Sequence, residues 1–175
     1  FGDLVQTPPI RTGLRKRHPD ARVHLIVKKR FRRVAELLPG VDVVHEIDGD
    51  ALARAMCEPG TPLLEPYRKV SAIVDQLSAI DFDLLLNFTH SRSSGVLLSL
   101  LRARRTVGFT LDRAGQRRVD DSWLIHMGTL VRARRLFRLN LVDVYLGAAG
   151  LLGCGERLCV EIPPAARRLA MSLLN

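Results

Sequence analysis

The sequence predicts an α/β protein built on a doubly wound, mostly parallel sheet. Strand-like and helix-like segments alternate along its 175 residues. The strand candidates are continuous apolar runs, such as Leu84-Leu85-Leu86. That pattern belongs to strands covered on both faces and not to the in-out alternation of a half-exposed sheet. Apolar residues make up 47% of the chain, which excludes a disordered or low-complexity protein and suits one domain with a sizeable core.

The elements follow in order. Val5, Ile10 and Leu14 recur at roughly helical spacing, with Thr7 placed to cap a helix that begins at Pro8-Pro9 and ends at His18-Pro19-Asp20. Val23 to Val27 reads as a buried strand. Phe31 to Leu38 is a short helix stopped by Pro39-Gly40, and Val41 to Ile47 a second strand. Residues 48–65 contain Gly49, Pro59, Gly60 and Pro62 and read mostly as loop. Pro66 to Ala79 is an amphipathic helix with Val70, Ile73, Val74 and Leu77 on one face. Asp83 to Phe88 is a third strand, followed by the polar stretch Thr89 to Ser93 and a helix from Ser94 to Leu101. Arg105 to Phe109 is a fourth strand, and residues 110–128 are polar and irregular. A long helix is expected from Leu130 to Ala149, closed by Gly150, then a strand over Cys159 to Ile162 and a last helix from Pro163 to Leu174. In such folds ligands bind outside the carboxyl ends of the strands. Gly2-Asp3 and Thr89 to Ser93 are the polar clusters that fall there.

Charge is unevenly spread. Twenty-seven Lys and Arg against eighteen Asp and Glu give a net +9. Residues 1–40 hold ten basic and three acidic residues, 41–101 hold four and nine, 102–138 hold ten and three, and 139–175 hold three of each. Two basic segments flanking an acidic one suit a partner that carries phosphate. Cys57, Cys154 and Cys159 form no CxxC, so neither a zinc site nor a disulfide framework is expected, and a reducing compartment is. Each cysteine reads as a small buried hydrophobe. No signal peptide is visible, and the charge-free run Val144 to Gly155 is too short to span a bilayer.

Four blocks, in order, resemble glycosyltransferase family 9, the bacterial ADP-heptose:lipopolysaccharide heptosyltransferases. They are Gly2-Asp3-Leu4-Val5-Gln6-Thr7-Pro8-Pro9-Ile10-Arg11 with Pro19-Asp20-Ala21; Asp81 to Asn87 with Ser91-Arg92-Ser93; Arg104 to Phe109; and Asn140 to Tyr145 running to Gly150. The resemblance implies the N-terminal, Rossmann-like half of a glycosyltransferase B architecture. It makes residues 1–162 the acceptor-binding domain and 163–175 the start of an interdomain linker. It further implies a first strand ahead of Gly2 and a nucleotide-sugar domain beyond residue 175, so that the chain on its own is expected to lack activity.

The reaction so implied is an inverting transfer of heptose, or a related sugar, from an ADP-sugar to a phosphorylated lipopolysaccharide-core acceptor. It proceeds without metal or other cofactor, in the cytoplasm, peripherally at the inner face of the bacterial inner membrane. By the family match Asp3 is the catalytic base. Gly2, Thr7, Thr89, His90, Arg92 and Ser93 are the substrate-binding candidates, with Arg92 able to grip phosphate or carboxylate in bidentate fashion and Ser93 also placed to cap the following helix. Read from the residues alone, Asp3 and Thr7 are turn or helix caps and Gly2 an ordinary turn glycine, while Ser93 serves equally as a helix cap. Lys28, Lys29, Arg30, Arg32 and Arg33 form the run suited to anionic acceptor or membrane surface. A basic nucleic-acid-binding module is the alternative. Few aromatics for stacking and no recognisable binding motif argue against it, so no nucleic-acid partner is expected. No G-x-G-x-x-G follows a strand, which argues against a dinucleotide enzyme.

Overall fold

The computed structural model describes residues 2–130, 133, 135–136, 138–154 and 158–174. It is a mixed α/β protein. The chain divides into two compact units, residues 1–46 with 153–175, and residues 47–152.

In the first unit α2 (Pro8–Arg17) forms where the sequence places a helix, and a short α1 (Gly2–Val5) precedes it, separated by Gln6-Thr7. Thr7 does not cap α2 with its side chain. Pro8 and Pro9 lack N–H groups, so Ile10 offers the first free donor, and that N–H goes to the Thr7 carbonyl at 3.0 Å. Strand β1 (His24–Lys28) leads through a 3₁₀ turn (Lys29–Phe31) into α3 (Arg32–Ala35), which packs on β1. Strand β2 (Val43–Ile47) pairs with β1 in a two-stranded sheet. Ile10, Val27, Ala35 and Leu38 are buried here. The strand expected over Cys159 to Ile162 does not form. Glu161 N–H donates to the Leu37 carbonyl at 2.8 Å, but no ladder follows. Helix α9 (Pro164–Leu174) comes next.

The second unit opens with a helix where the sequence suggests loop, α4 (Gly49–Cys57). Asp48 caps it, accepting from Ala51 N–H at 3.1 Å. Helix α5 (Leu64–Ser78) packs against it and buries Leu77. Strand β3 (Phe82–Asn87) and strand β4 (Ala103–Leu111) run parallel, joined by α6 (Arg92–Leu100), which lies on both. β4 then turns into β5 (Arg117–Val119), its antiparallel neighbour. This hairpin and α7 (Ser122–Leu130) occupy the stretch expected to be irregular. The long helix over Leu130 to Ala149 is not continuous. α8 (Leu141–Ala149) starts at Asn140, whose side chain accepts from Asp143 N–H at 3.0 Å, and residues 131–132, 134 and 137 of the expected helix lie outside the described residues. Gly150 closes α8 as expected. Its φ of +73° lets its own N–H reach Gly147 O and Leu151 N–H reach Leu146 O, and Leu151 is buried behind it. α7 packs on α8 so closely that a Cβ on Gly147 would come within 2.4 Å of the Trp123 ring.

The five strands of the described residues thus form two small sheets, one of two strands and one of three, the larger mixed in direction. Among the described residues no helix is long and apolar enough to cross a membrane.

Candidate functional site

The three-stranded sheet creates a corner at one edge. Because β3 and β4 are parallel, their carboxyl ends share that edge, and antiparallel β5 begins there. The Thr89 to Ser91 turn leaves β3 at this edge, α6 starts beside it, and the turn between β4 and β5 faces it.

Asn87, buried on the last rung of β3, builds the corner. Its amide nitrogen donates to Phe109 O at 2.6 Å and Ser94 Oγ at 3.1 Å, and its Oδ1 accepts from Thr89 N–H at 3.0 Å. It therefore ties β3, β4, α6 and the turn together. Opposite it on the ladder is Gly108, where a Cβ would stand 2.0 Å from Asn87 O, and the φ of +109° excludes other residues as well. Ser94 Oγ bonds back to the carbonyls of Ser91 and Thr89, completing the turn.

The cap of α6 is Ser91, not Ser93. Ser91 Oγ accepts from Ser94 N–H at 3.2 Å, and Ser93 only donates its hydroxyl to Ser91 Oγ. Thr89, His90, Arg92 and Ser93 are all exposed. The His90 ring lies 4.0 Å from that of Phe109. Arg117, at the start of β5, donates to His90 O at 3.0 Å and stacks its guanidinium over Phe109. Arg92 reaches the hairpin turn, its Nη2 passing 3.3 Å from where a Cβ on Gly115 would sit. Two guanidinium groups from different elements thus frame the turn. Sequence reasoning singles out Arg92 and not Arg117, because nothing in a polar stretch announces a hairpin that folds back onto β3's end.

In the first unit Asp3 is exposed on the first turn of the four-residue α1. Gly2 precedes it, and a Cβ there would meet nothing within 4 Å, so no close approach requires glycine. Thr7 is committed internally, its Oγ1 donating to Leu4 O at 2.8 Å and accepting from Arg11 Nη1 at 2.7 Å. Arg11 itself, not singled out by sequence, is 4% exposed. Its Nε donates to Pro39 O at 2.8 Å, while Nη2 has no hydrogen-bond partner among the described residues. Burial pushes its pKa down to about 10, so it keeps its charge at neutral pH.

In the basic run Arg32 is engaged by Glu36 at 2.7 Å and Glu46 at 2.6 Å, which raise its pKa. Lys28, Lys29, Arg30 and Arg33 are exposed, with Arg30 over the Phe31 ring. His24 Nδ1 and His45 Nε2 lie 2.9 Å apart between β1 and β2, their rings stacked with an angle of 17° between planes. Sequence reading had marked neither.

Cys57 and Cys159 are exposed and Cys154 half-buried, all as free thiols, so the expectation of buried cysteines fails. Among the described residues no three His, Cys, Asp or Glu side chains gather as a set that could hold a metal. No family model, curated protein or solved structure matches the chain.

Proposed function

We propose that this chain is the acceptor-binding half of an inverting glycosyltransferase like those of family 9. In this reading it receives heptose, or a related sugar, from an ADP-sugar onto a phosphorylated lipopolysaccharide-core acceptor. The corner at the carboxyl edge of β3 and β4 carries the reading. There Arg92 and Arg117, anchored by the hydrogen-bonded Asn87 turn, offer charged donors to an anion at the place where parallel α/β sheets hold ligands. The ordered sequence blocks support it, and the parallel β3–α6–β4 unit suits the doubly wound sheet that such a domain would have.

In this mechanism Asp3 takes the proton of the acceptor hydroxyl as that oxygen forms its bond to the anomeric carbon. ADP departs with the electron pair of the breaking bond. Proton loss comes late in so dissociative a displacement, so positioning supplies much of the rate. Lys28, Lys29, Arg30 and Arg33 meet the phosphorylated lipid at the cytoplasmic face of the inner membrane. The test is heptose transfer from ADP-heptose by the full-length protein. Asp3→Ala should lower kcat by about 100-fold or more. Undiminished transfer in that variant removes Asp3 from the mechanism, and no transfer by the unaltered protein removes the reaction.

A further inference from the structure

Helix α9 buries none of its residues. It extends from a stretch that Glu161 fastens to Leu37 O, so it is tethered to the first unit at its root and open along its length. At 100° per residue, Ala166, Leu169, Ala170, Leu173 and Leu174 share one side. Leu169, Leu173 and Leu174 are 62%, 78% and 83% exposed. Arg167 and Arg168 flank Met171 on the other side, and the helix has no acidic residue.

We propose that α9 is an interfacial helix that lies in the plane of an anionic lipid bilayer, with its leucines sunk at the acyl boundary and Arg167 and Arg168 among the headgroups. Charge and area both favour this occupant. A helix whose ionisable groups are all basic complements an anionic surface, whereas a second copy of α9 would set arginine against arginine. Eleven residues make a rod only about 16 Å long, and one apolar side of it falls short of the ~800 Å² per partner that a stable dimer buries. The inference rests on the helix alone and not on the transferase reading.

The experiment is co-sedimentation of the full chain with vesicles of phosphatidylcholine alone, or of phosphatidylcholine and phosphatidylglycerol in equal parts, beside light scattering of the protein in solution. Binding should need phosphatidylglycerol and weaken with salt. Arg167→Gln with Arg168→Gln should lower partition into the anionic vesicles by about 30-fold. Leu169→Glu with Leu173→Glu should lower that partition by at least as much while leaving the circular dichroism unchanged, since neither leucine is buried. Partition into anionic vesicles that the leucine changes leave undiminished would assign it to other basic groups such as Lys28 to Arg33 and overturn the proposal. So would an absence of binding, or a dimer in solution that the leucine changes dissolve.

Discussion

Replacing Asn87 by alanine removes three hydrogen bonds at once, and their fates differ. Phe109 O, accepting at 2.6 Å, belongs to a buried residue of β4 and loses its side-chain donor in a place that water does not readily reach. An unsatisfied buried carbonyl costs about 1–3 kcal/mol. Thr89 is exposed, so its N–H is rehydrated at little cost. Ser94 Oγ still donates to Ser91 O at 2.8 Å and loses only an incoming bond. With the packing lost from a site that is 5% exposed, the total comes to about 2–3 kcal/mol. For a chain of this length that lowers Tm by about 5–10 °C. Urea unfolding followed by circular dichroism measures it, with Ser94→Ala as comparison, expected to cost about 1 kcal/mol. A loss below about 0.5 kcal/mol for Asn87→Ala would refute the claim that this amide holds the corner together.

Gly108→Ala should cost about 4 kcal/mol or more, because the new Cβ would stand 2.0 Å from Asn87 O at a φ of +109°, splitting the last rung between β3 and β4; a Tm equal to that of the unaltered protein would contradict this. Acid should weaken the first unit through His24 and His45. Burial holds both below the usual histidine range of 6.5; Arg22 adds to the effect on His24 against the opposing Asp42, and His24 adds to that on His45. The unfolded chain therefore takes up protons first. The stability these rings contribute is complete above about pH 6.5 and falls as pH drops through that value. Tm measured between about pH 7.5 and 5.5 should decline, and less so in His45→Phe; equal slopes in both proteins would remove the pair as the cause.

The sequence made some of this plain and hid the rest for physical reasons. Strand β3 is found within a residue of its expected place because Leu84-Leu85-Leu86 has no helical periodicity and ends at a polar turn. Gly150 is legible because a left-handed closing residue is nearly a glycine monopoly. α4 was hidden by Gly49, Pro59 and Gly60, although Asp48 ahead of an alanine-rich stretch carried the signal of a capped helix. The helix ending at Gly150 is shorter than its apolar pattern suggests, since apolar residues on both sides of Asn140 mask a cap that shows only in its bond to Asp143 N–H. The run at Cys159 to Ile162 looks like a strand, but a strand exists only by pairing, and among the described residues the bond from Glu161 N–H to Leu37 O is not continued into a ladder. At the site, Arg92 and Ser93 could be read from their place after a strand. Arg117 and Asn87 owe their roles to contacts across more than twenty residues of chain.

The most direct test of the central claim is calorimetric titration of the chain with a phosphorylated lipopolysaccharide-core oligosaccharide. Saturable binding is predicted, weakened by about tenfold in Arg92→Ala and again in Arg117→Ala, since each removes one charge-assisted hydrogen-bonding group. Absence of binding, or equal affinity in the double variant, would contradict the assignment of this corner to the acceptor.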